Sequence, residues 1–360
     1  MKGVHFHCGL NKEEMGKLIF DQVKAMNNPV PFENDFSRWD GSLEILMLEI
    51  EHAFYKAIFP NVLDKMLEKQ LRSKGKIGNP FRDKNDLDFA ALRYKLVGSR
   101  RTGDQNTTIG NSYLDIVLQL FAINEQCANG VTVWDLLDSG KLTINVMGDD
   151  NLGLQDGFKI DSGKYMQTMA DLGLTAKLKF PKIQDMQFCS NLFVPVNNTY
   201  IAVQKPGKAI CKAFATTNNL NERQASYWVK TQALAYSRDF SMIPFMKTWF
   251  THVWKKHREA SRVSLPNYDP HEQQFKHCAK DHTCDNATLA WLQARYGFTH
   301  VDFQRIAEWL IARRITDVGG YSPEIKSILT VDLEWEVVGG FDLSTISTLN
   351  EICAQQPSKF

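Results

Sequence analysis

The chain has 360 residues, 42 Lys and Arg against 41 Asp and Glu, and a formal net charge of +1. That balance lacks the overall basic footprint usual for a nucleic-acid binder, although acids in a site and bases elsewhere can cancel and the runs Lys65–Lys84, Lys177–Lys182, Lys205–Lys212 and Trp254–Arg258 are basic. A hydrophobic content of 43% and a mean hydropathy of −0.32 are those of a globular chain able to bury one large or two smaller cores. No apolar stretch reaches the ~18 residues of a membrane span. Seven cysteines without framework spacing point to a reducing compartment.

Residues 1–28 read as a lead-in helix with Lys2, Lys12, Lys17 and Lys24. Next comes Pro31-Phe-Glu-Asn-Asp35-Phe-Ser-Arg38-Trp-Asp40-Gly-Ser42, before a helical pattern at Leu43, Leu46, Met47, Ile50, Ala53, Phe54 and Ala57. Asp35 therefore falls at a strand end and Asp40 at the strand-to-helix turn. Asp40 is also explained by capping the helix; Asp35 is not. From about Asn61 to Tyr94 the chain carries Gly75, Gly78, Pro80 and mixed charge, which suits a loop or short hairpin.

Gly98-Ser-Arg100-Arg101-Thr-Gly103-Asp-Gln-Asn-Thr107-Thr-Ile-Gly-Asn111 opens a second helix, expected over Ser112 to Glu125. Such a loop can set backbone N–H groups and polar side chains against a sugar-phosphate chain. Gly148-Asp149-Asp150-Asn151 lies between two short apolar runs and reads as a β-turn. Two adjacent carboxylates repel, and a divalent cation resolves the conflict: Mg²⁺ takes carboxylate oxygens and substrate phosphates. Alone, a solvated Asp-Asp turn explains this tetrapeptide as well.

Taken in order, Asp-x₄-Asp, Thr-Gly-x₃-Thr-x₃-Asn and Gly-Asp-Asp resemble motifs A, B and C of the palm of a positive-strand RNA virus RNA-dependent RNA polymerase. Gly9-Leu-Asn-Lys-Glu-Glu14 and the full runs around Asp35 and Asn111 are similar to the tombusvirus-like group, within the broader tombus-noda-like set. The resemblance is strong from about Gly9 to Val196 and fades beyond. It implies an α+β right-hand fold: residues 29–200 as palm with a fingers insertion at about 61–94, and 201–360 as a mainly helical thumb and tail. It implies two Mg²⁺ (or Mn²⁺) ions held by Asp35 and Asp149 with support from Asp150. Asp40 and Asn111 would sense the ribose 2′-hydroxyl, which is both donor and acceptor, with help from Thr107 and a hinge at Gly103.

Two later segments extend the resemblance. Tyr165 to Lys177 has the helix–Gly–strand shape of motif D, whose lysine protonates the leaving pyrophosphate. Lys177, Lys179 and Lys182 compete for that role, and Lys179 is preferred here. Gln187-Phe-Cys-Ser190 followed by Leu192-Phe-Val194 resembles motif E, which supports the primer. The family's basic motif F is not seen before Asp35, so the fingers are expected to be largely incomplete, with Arg38, Arg100 and Arg101 left as triphosphate contacts.

The expected partners are RNA template, nascent RNA, nucleoside triphosphates and other viral replication proteins. The expected place is host cytoplasm at replication complexes, with membranes reached through a partner or another segment. A reverse transcriptase is disfavoured by Asn111 and Gly148; a catalytically incomplete RNA-binding or scaffold subunit is the rival from another class. His271, His277, Cys278, His282 and Cys284 form a metal-like cluster without a standard zinc pattern.

Overall fold

The computed structural model describes residues 3–60, 64–77, 92–101, 103–216, 218–265, 280–312 and 322–333. The chain is α+β and divides into two compact units, residues 1–8 with 22–189 and residues 9–21 with 190–360.

The first unit is built on a five-stranded sheet. Its strands are β1 (Val4–Phe6), β2 (Val30–Phe36), β5 (Leu142–Met147), β6 (Asp150–Gln155) and β7 (Ala176–Lys179), in the order β1-β5-β6-β2-β7. β1 runs parallel to β5, and the remaining pairs are antiparallel. The strand β1 corrects the expectation of a helix over residues 1–28. Only Lys12–Ala25 is helical (α1), because Val4-His-Phe6 finds an open edge on β5. Three residues carry too little periodicity to announce themselves.

β2 changes partner half-way. Val30–Phe32 pair with Gln155–Gly153 on one edge, and Glu33–Phe36 pair with Lys179–Ala176 on the other. Along β2, Phe32, Asn34 and Phe36 face the core, and Asp35 is exposed on the opposite face. The core itself joins Phe32, Phe36, Ile144 and Val146 to helices α5 (Thr107–Asn124) and α7 (Ser162–Asp171) through Leu114, Leu118, Tyr165 and Met169.

Between β2 and α5 come α2 (Trp39–Ser42), α3 (Ile45–Ile58), α4 (Asp64–Leu71) and the hairpin β3 (Arg72–Ile77) with β4 (Leu92–Val97). A short hairpin is among the forms expected for this stretch, and Gly78 and Pro80 lie outside the described residues. Helix α3 departs from expectation in its rotation. It buries Met47, Leu48, Glu51 and His52, while Leu46 is 69% and Ile50 39% exposed. The reason is Glu51, whose ionic partner lies inside.

In the second unit, the hairpin β8 (Asn191–Val196) and β9 (Thr199–Gln204) packs with α8 (Pro206–Lys212), α9 (Glu222–Asp239), α10 (Pro244–Lys256), α11 (Asn286–Tyr296), α12 (His300–Ala312) and α13 (Pro323–Leu333). Phe240, Phe245, Phe250, Trp291 and Phe303 are core. Asp332, 2% exposed, accepts from Gly207 N at 2.7 Å, Arg295 at 2.9 Å and Tyr296 Oη at 2.9 Å, and so ties α8, α11 and α13 together. No helix among the described residues is long and apolar enough to cross a membrane. The tail from Val337 lies outside the described residues.

Candidate active site

β5 and β6 meet in a two-residue turn, Gly148-Asp149, with Met147 opposite Asp150. Gly148 has φ +72° and Asp149 does not share the left-handed region, the pattern of a turn with glycine at its first central position. The tight turn leaves Asp149 and Asp150 exposed at the sheet's end. The Gly148 N–H is anchored by Ser112 Oγ at 2.8 Å, and Ser112 Oγ–H in turn donates to Thr108 O at 2.7 Å.

Asp35 and Asp40 arrive from β2 and α2. The intervening chain reverses at Arg38, which adopts φ +56°, a conformation costly for a non-glycine residue. Partial burial, then the negative charges of Asp40 and Asp35, raise the Asp149 carboxyl above the usual carboxylate value. Charge on one chain segment thus bears on a carboxylate of another.

Below them lies a buried polar layer. Asn34 N–H donates to Asn151 Oδ1 at 2.9 Å, and Asn151 Nδ2 donates to Asn34 O at 3.0 Å and to Asp115 Oδ2 at 3.2 Å. Gln119 Nε2 donates to Asp115 Oδ1 at 2.8 Å, and Asn34 Nδ2 donates to the Tyr165 hydroxyl at 3.1 Å. Asp115 is fully buried; desolvation first, and later the charges of Asp149 and Asp150, push its carboxyl well up. The sequence assigns no role to Asn34, Ser112 or Asp115, and Asn151 enters there only as part of the Gly148–Asn151 turn. The signal for Asp115 was a lone acid inside the apolar run of α5.

Helix α5 starts at Thr107, earlier than the expected Ser112, so Asn111 stands in its second turn. Gly110 and the β-branched run before it are poor helix formers. Tertiary packing overrides them: a Cβ on Gly110 would run into the Glu51 carboxylate and the Arg100 guanidinium. Thr107 Oγ1 donates to Asp104 O at 2.7 Å, inside its own loop. Gly103 is exposed at φ +117°.

Asn111 Nδ2 donates to Asp40 Oδ1 at 3.0 Å. Asn111 is 4% exposed and Asp40 half-buried, so of the bonded pair Asp40 is the more accessible. Arg100 Nε–H donates to Asn111 Oδ1 at 2.9 Å, and its terminal nitrogen pairs with Glu51. Arg100 is therefore buried and ion-paired, in contrast to the exposed Arg38. Arg101 reaches Asp104 at 3.3 Å.

The sheet register sets Lys177 opposite Asp35 and Lys179 opposite Glu33. Cross-strand neighbours share a face, so both lysines project on the Asp35 side, with Lys177 the nearer. Lys182 precedes a short turn at Ile183–Asp185. Ser190 is exposed at φ +60° and belongs to the second unit.

Among the described residues, no three His, Cys, Asp or Glu side chains are gathered closely enough to form a ready cation cage. Mg²⁺ does not require one: it keeps several waters and takes one or two carboxylates plus substrate phosphates. Hard oxygen donors with mutual repulsion fit that ion. Of the His271–Cys284 cluster, His271, His277 and Cys278 lie outside the described residues. His282 Nε2 stands 3.6 Å from Glu13, and Cys284 Sγ contacts Asp285 O at 3.9 Å.

With this geometry established, comparison with known proteins is decisive. The family profile described as "Viral RNA dependent RNA polymerase" matches residues 2–304. The chain belongs to this viral RNA-dependent RNA polymerase family. The match runs past Val196, where the resemblance read from motifs had faded, well into the second unit. The RNA-directed RNA polymerase of Cucumber necrosis virus is 26% identical over 268 residues, covering 71% of this chain and 30% of the relative. That of Tomato bushy stunt virus (strain Cherry) is 26% identical over 271 residues, again 71% and 30%. That of Tobacco necrosis virus (strain A) is 27% identical over 217 residues, covering 57% and 26%. The tombusvirus-like resemblance is borne out, and the chain spans about a third or less of the length of these relatives.

Proposed function

We propose that this chain carries the nucleotidyl-transfer centre of an RNA-directed RNA polymerase that copies a positive-strand RNA genome. The first unit is read as the palm, with the α4–β3–β4 region as a fingers insertion, and the second as the thumb. The observation that carries this reading is the direct Asp40–Asn111 bond, and the rise of the Asp149 carboxyl under the charges of Asp40 and Asp35 supports it. A carboxylate held by an amide next to a metal-type carboxylate group suits a ribonucleotide better than a deoxyribonucleotide.

In the proposed reaction the 3′-hydroxyl of nascent RNA attacks the α-phosphorus of the incoming triphosphate, and pyrophosphate leaves in line. Two divalent ions, when bound, would ease deprotonation of that hydroxyl and neutralise charge on the leaving group. Asp35 and Asp149 would hold them, with Asp150 in support. Asp40 accepts the ribose 2′-O–H, and Asn111 orients Asp40 from behind. Lys177, opposite Asp35 in the register, is read here as the lysine that gives a proton to the departing pyrophosphate, with Lys179, opposite Glu33, as its rival for that role. Arg38, exposed at the turn between Asp35 and Asp40, is the arginine available to the triphosphate.

Template RNA, nascent RNA and nucleoside triphosphates are the proposed partners, together with other replication proteins at membrane-associated complexes in the host cytoplasm. The test is template-directed incorporation of labelled UMP on a poly(A) template with Mg²⁺. Asp149→Asn is expected to abolish incorporation at an unchanged melting temperature. Full incorporation by that variant would refute the reading.

A further inference from the structure

Asp40 and Asn111 do not stand alone. A guanidinium has only donors and an ionised carboxylate only acceptors. An amide between them satisfies both in one orientation, oxygen toward the arginine and nitrogen toward the acid. Asn111 sits in that position, between Arg100 Nε at 2.9 Å and Asp40 Oδ1 at 3.0 Å. The Arg100 backbone N–H also donates to Asp40 O at 2.7 Å. One residue therefore grips both members of the pair, the amide through its side chain and the acid through its main chain.

Arg100 is itself locked. Its guanidinium pairs with Glu51, and the two side chains are 1% and 0% exposed. Glu51 Oε1 accepts from Asn106 Nδ2 at 2.7 Å, and Asn106 Oδ1 accepts from Gln70 Nε2 at 2.7 Å. A buried ion pair is a poor device for stability, since desolvation offsets most of its attraction. Its use lies in fixing direction: the planar fork of arginine cannot rotate without breaking two bonds at once. The absent Cβ of Gly110 leaves the room in which the pair sits.

We infer that Arg100 and Glu51 are positioning residues for ribose selection: they set the orientation of Asn111, and through it the carboxylate of Asp40 that tests for a 2′-hydroxyl. The inference rests on the polymerase reading. Neither residue touches substrate, so the effect belongs to the preference between sugars rather than to bond formation.

The experiment compares ATP with 2′-deoxy-ATP on a poly(U) template for the wild-type chain, Arg100→Lys and Glu51→Gln. Lysine keeps the charge opposite Glu51 but cannot span Glu51 and Asn111 with a rigid fork. The expected result is about a tenfold fall in the ratio of kcat/KM values, the size of one lost charge-assisted hydrogen bond. The loss should fall on ATP, with 2′-deoxy-ATP nearly unchanged; a merely structural defect would depress both alike. If Arg100→Lys or Glu51→Gln does not fold, Asn106→Ala, at the half-exposed edge of the network, should lower the ratio about threefold.

Folded variants with the wild-type ratio would overturn the inference while leaving the polymerase reading intact. A wild-type chain that incorporates nothing, and binds ATP and 2′-deoxy-ATP equally in calorimetric titration, would overturn the polymerase reading and the inference with it. Where incorporation is absent but ATP is preferred in that titration, the ratio of dissociation constants replaces the kinetic ratio and is expected to fall in the variants in the same way.

Discussion

Ser112, in the second turn of α5, holds the backbone N–H of Gly148 at 2.8 Å and thereby fixes the turn that presents Asp149. The bond ties the helix that carries Asn111 to the hairpin that carries the metal-type carboxylates. Ser112→Ala leaves that N–H to water and frees the turn to tilt. The expected outcome is a stability loss of about 1 kcal/mol and a higher Mg²⁺ concentration for half-maximal incorporation. Thermal melting and a Mg²⁺ titration of the variant check the two parts separately.

Lys177 and Lys179 can be told apart by substitution. A proton donor contributes on the order of 10²–10⁴-fold to a transfer step. Lys177→Ala is expected to lower single-turnover kcat by about a hundredfold and to flatten the rise of rate with proton availability. Lys179→Ala, opposite Glu33, should fall less. The reverse order would return the role to Lys179.

Gly110→Ala should destabilise the protein, although alanine is the better helix former by about 1 kcal/mol. The new methyl group meets the Glu51 carboxylate and the Arg100 guanidinium, which are buried and cannot move aside. Overpacking of that kind costs about 1–3 kcal/mol. Chemical denaturation of wild type and variant gives the sign directly, and a gain in stability would contradict the close packing of α5 on the ion pair.

Asp115 carries a pH dependence. Its folded-state pKa lies above the ordinary 3.8, so the native state binds the proton more tightly than the unfolded chain. This group therefore lowers stability progressively as pH rises from near 3.8 through its raised folded value, and contributes a constant penalty above. Asp115→Asn cannot ionise. The difference in melting temperature between Asp115→Asn and wild type should shift toward the variant as pH rises across that window. A difference independent of pH would mean that Asp115 titrates alike in both states.

What could be read from the sequence was turn chemistry and motif order. Asp35 and Asp40 flank a chain reversal, and Gly148 demands a left-handed backbone, so both carboxylate stations declare themselves locally. The passage from α7 to β7 through Gly173, at φ +81°, follows from the same punctuation by glycine. Glu51 was invisible because a glutamate in an amphipathic helix reads as solvent-facing, and the apolar stripe through Leu46 and Ile50 offered a more persuasive inner face. Only the position of Arg100, 49 residues on, decides which side of α3 turns inward. The start of α5 was hidden for a similar reason: its helicity depends on a neighbour rather than on its own propensities.

The exchange of partners along β2 leaves the backbone of Asn34 without a strand on its β6 side, and one carboxamide stands in for the missing neighbour. The spacing between the segment bearing Asp35 and the segment bearing Asp149 is thus set by the reach of a side chain and not by the repeat of a sheet. Asn151 works as a gauge block. A residue one methylene longer would leave every strand paired as before and still widen the gap between the two acids. If the proposed pair of ions is held about 3.5–4 Å apart, such a change would alter the chemistry without altering the fold.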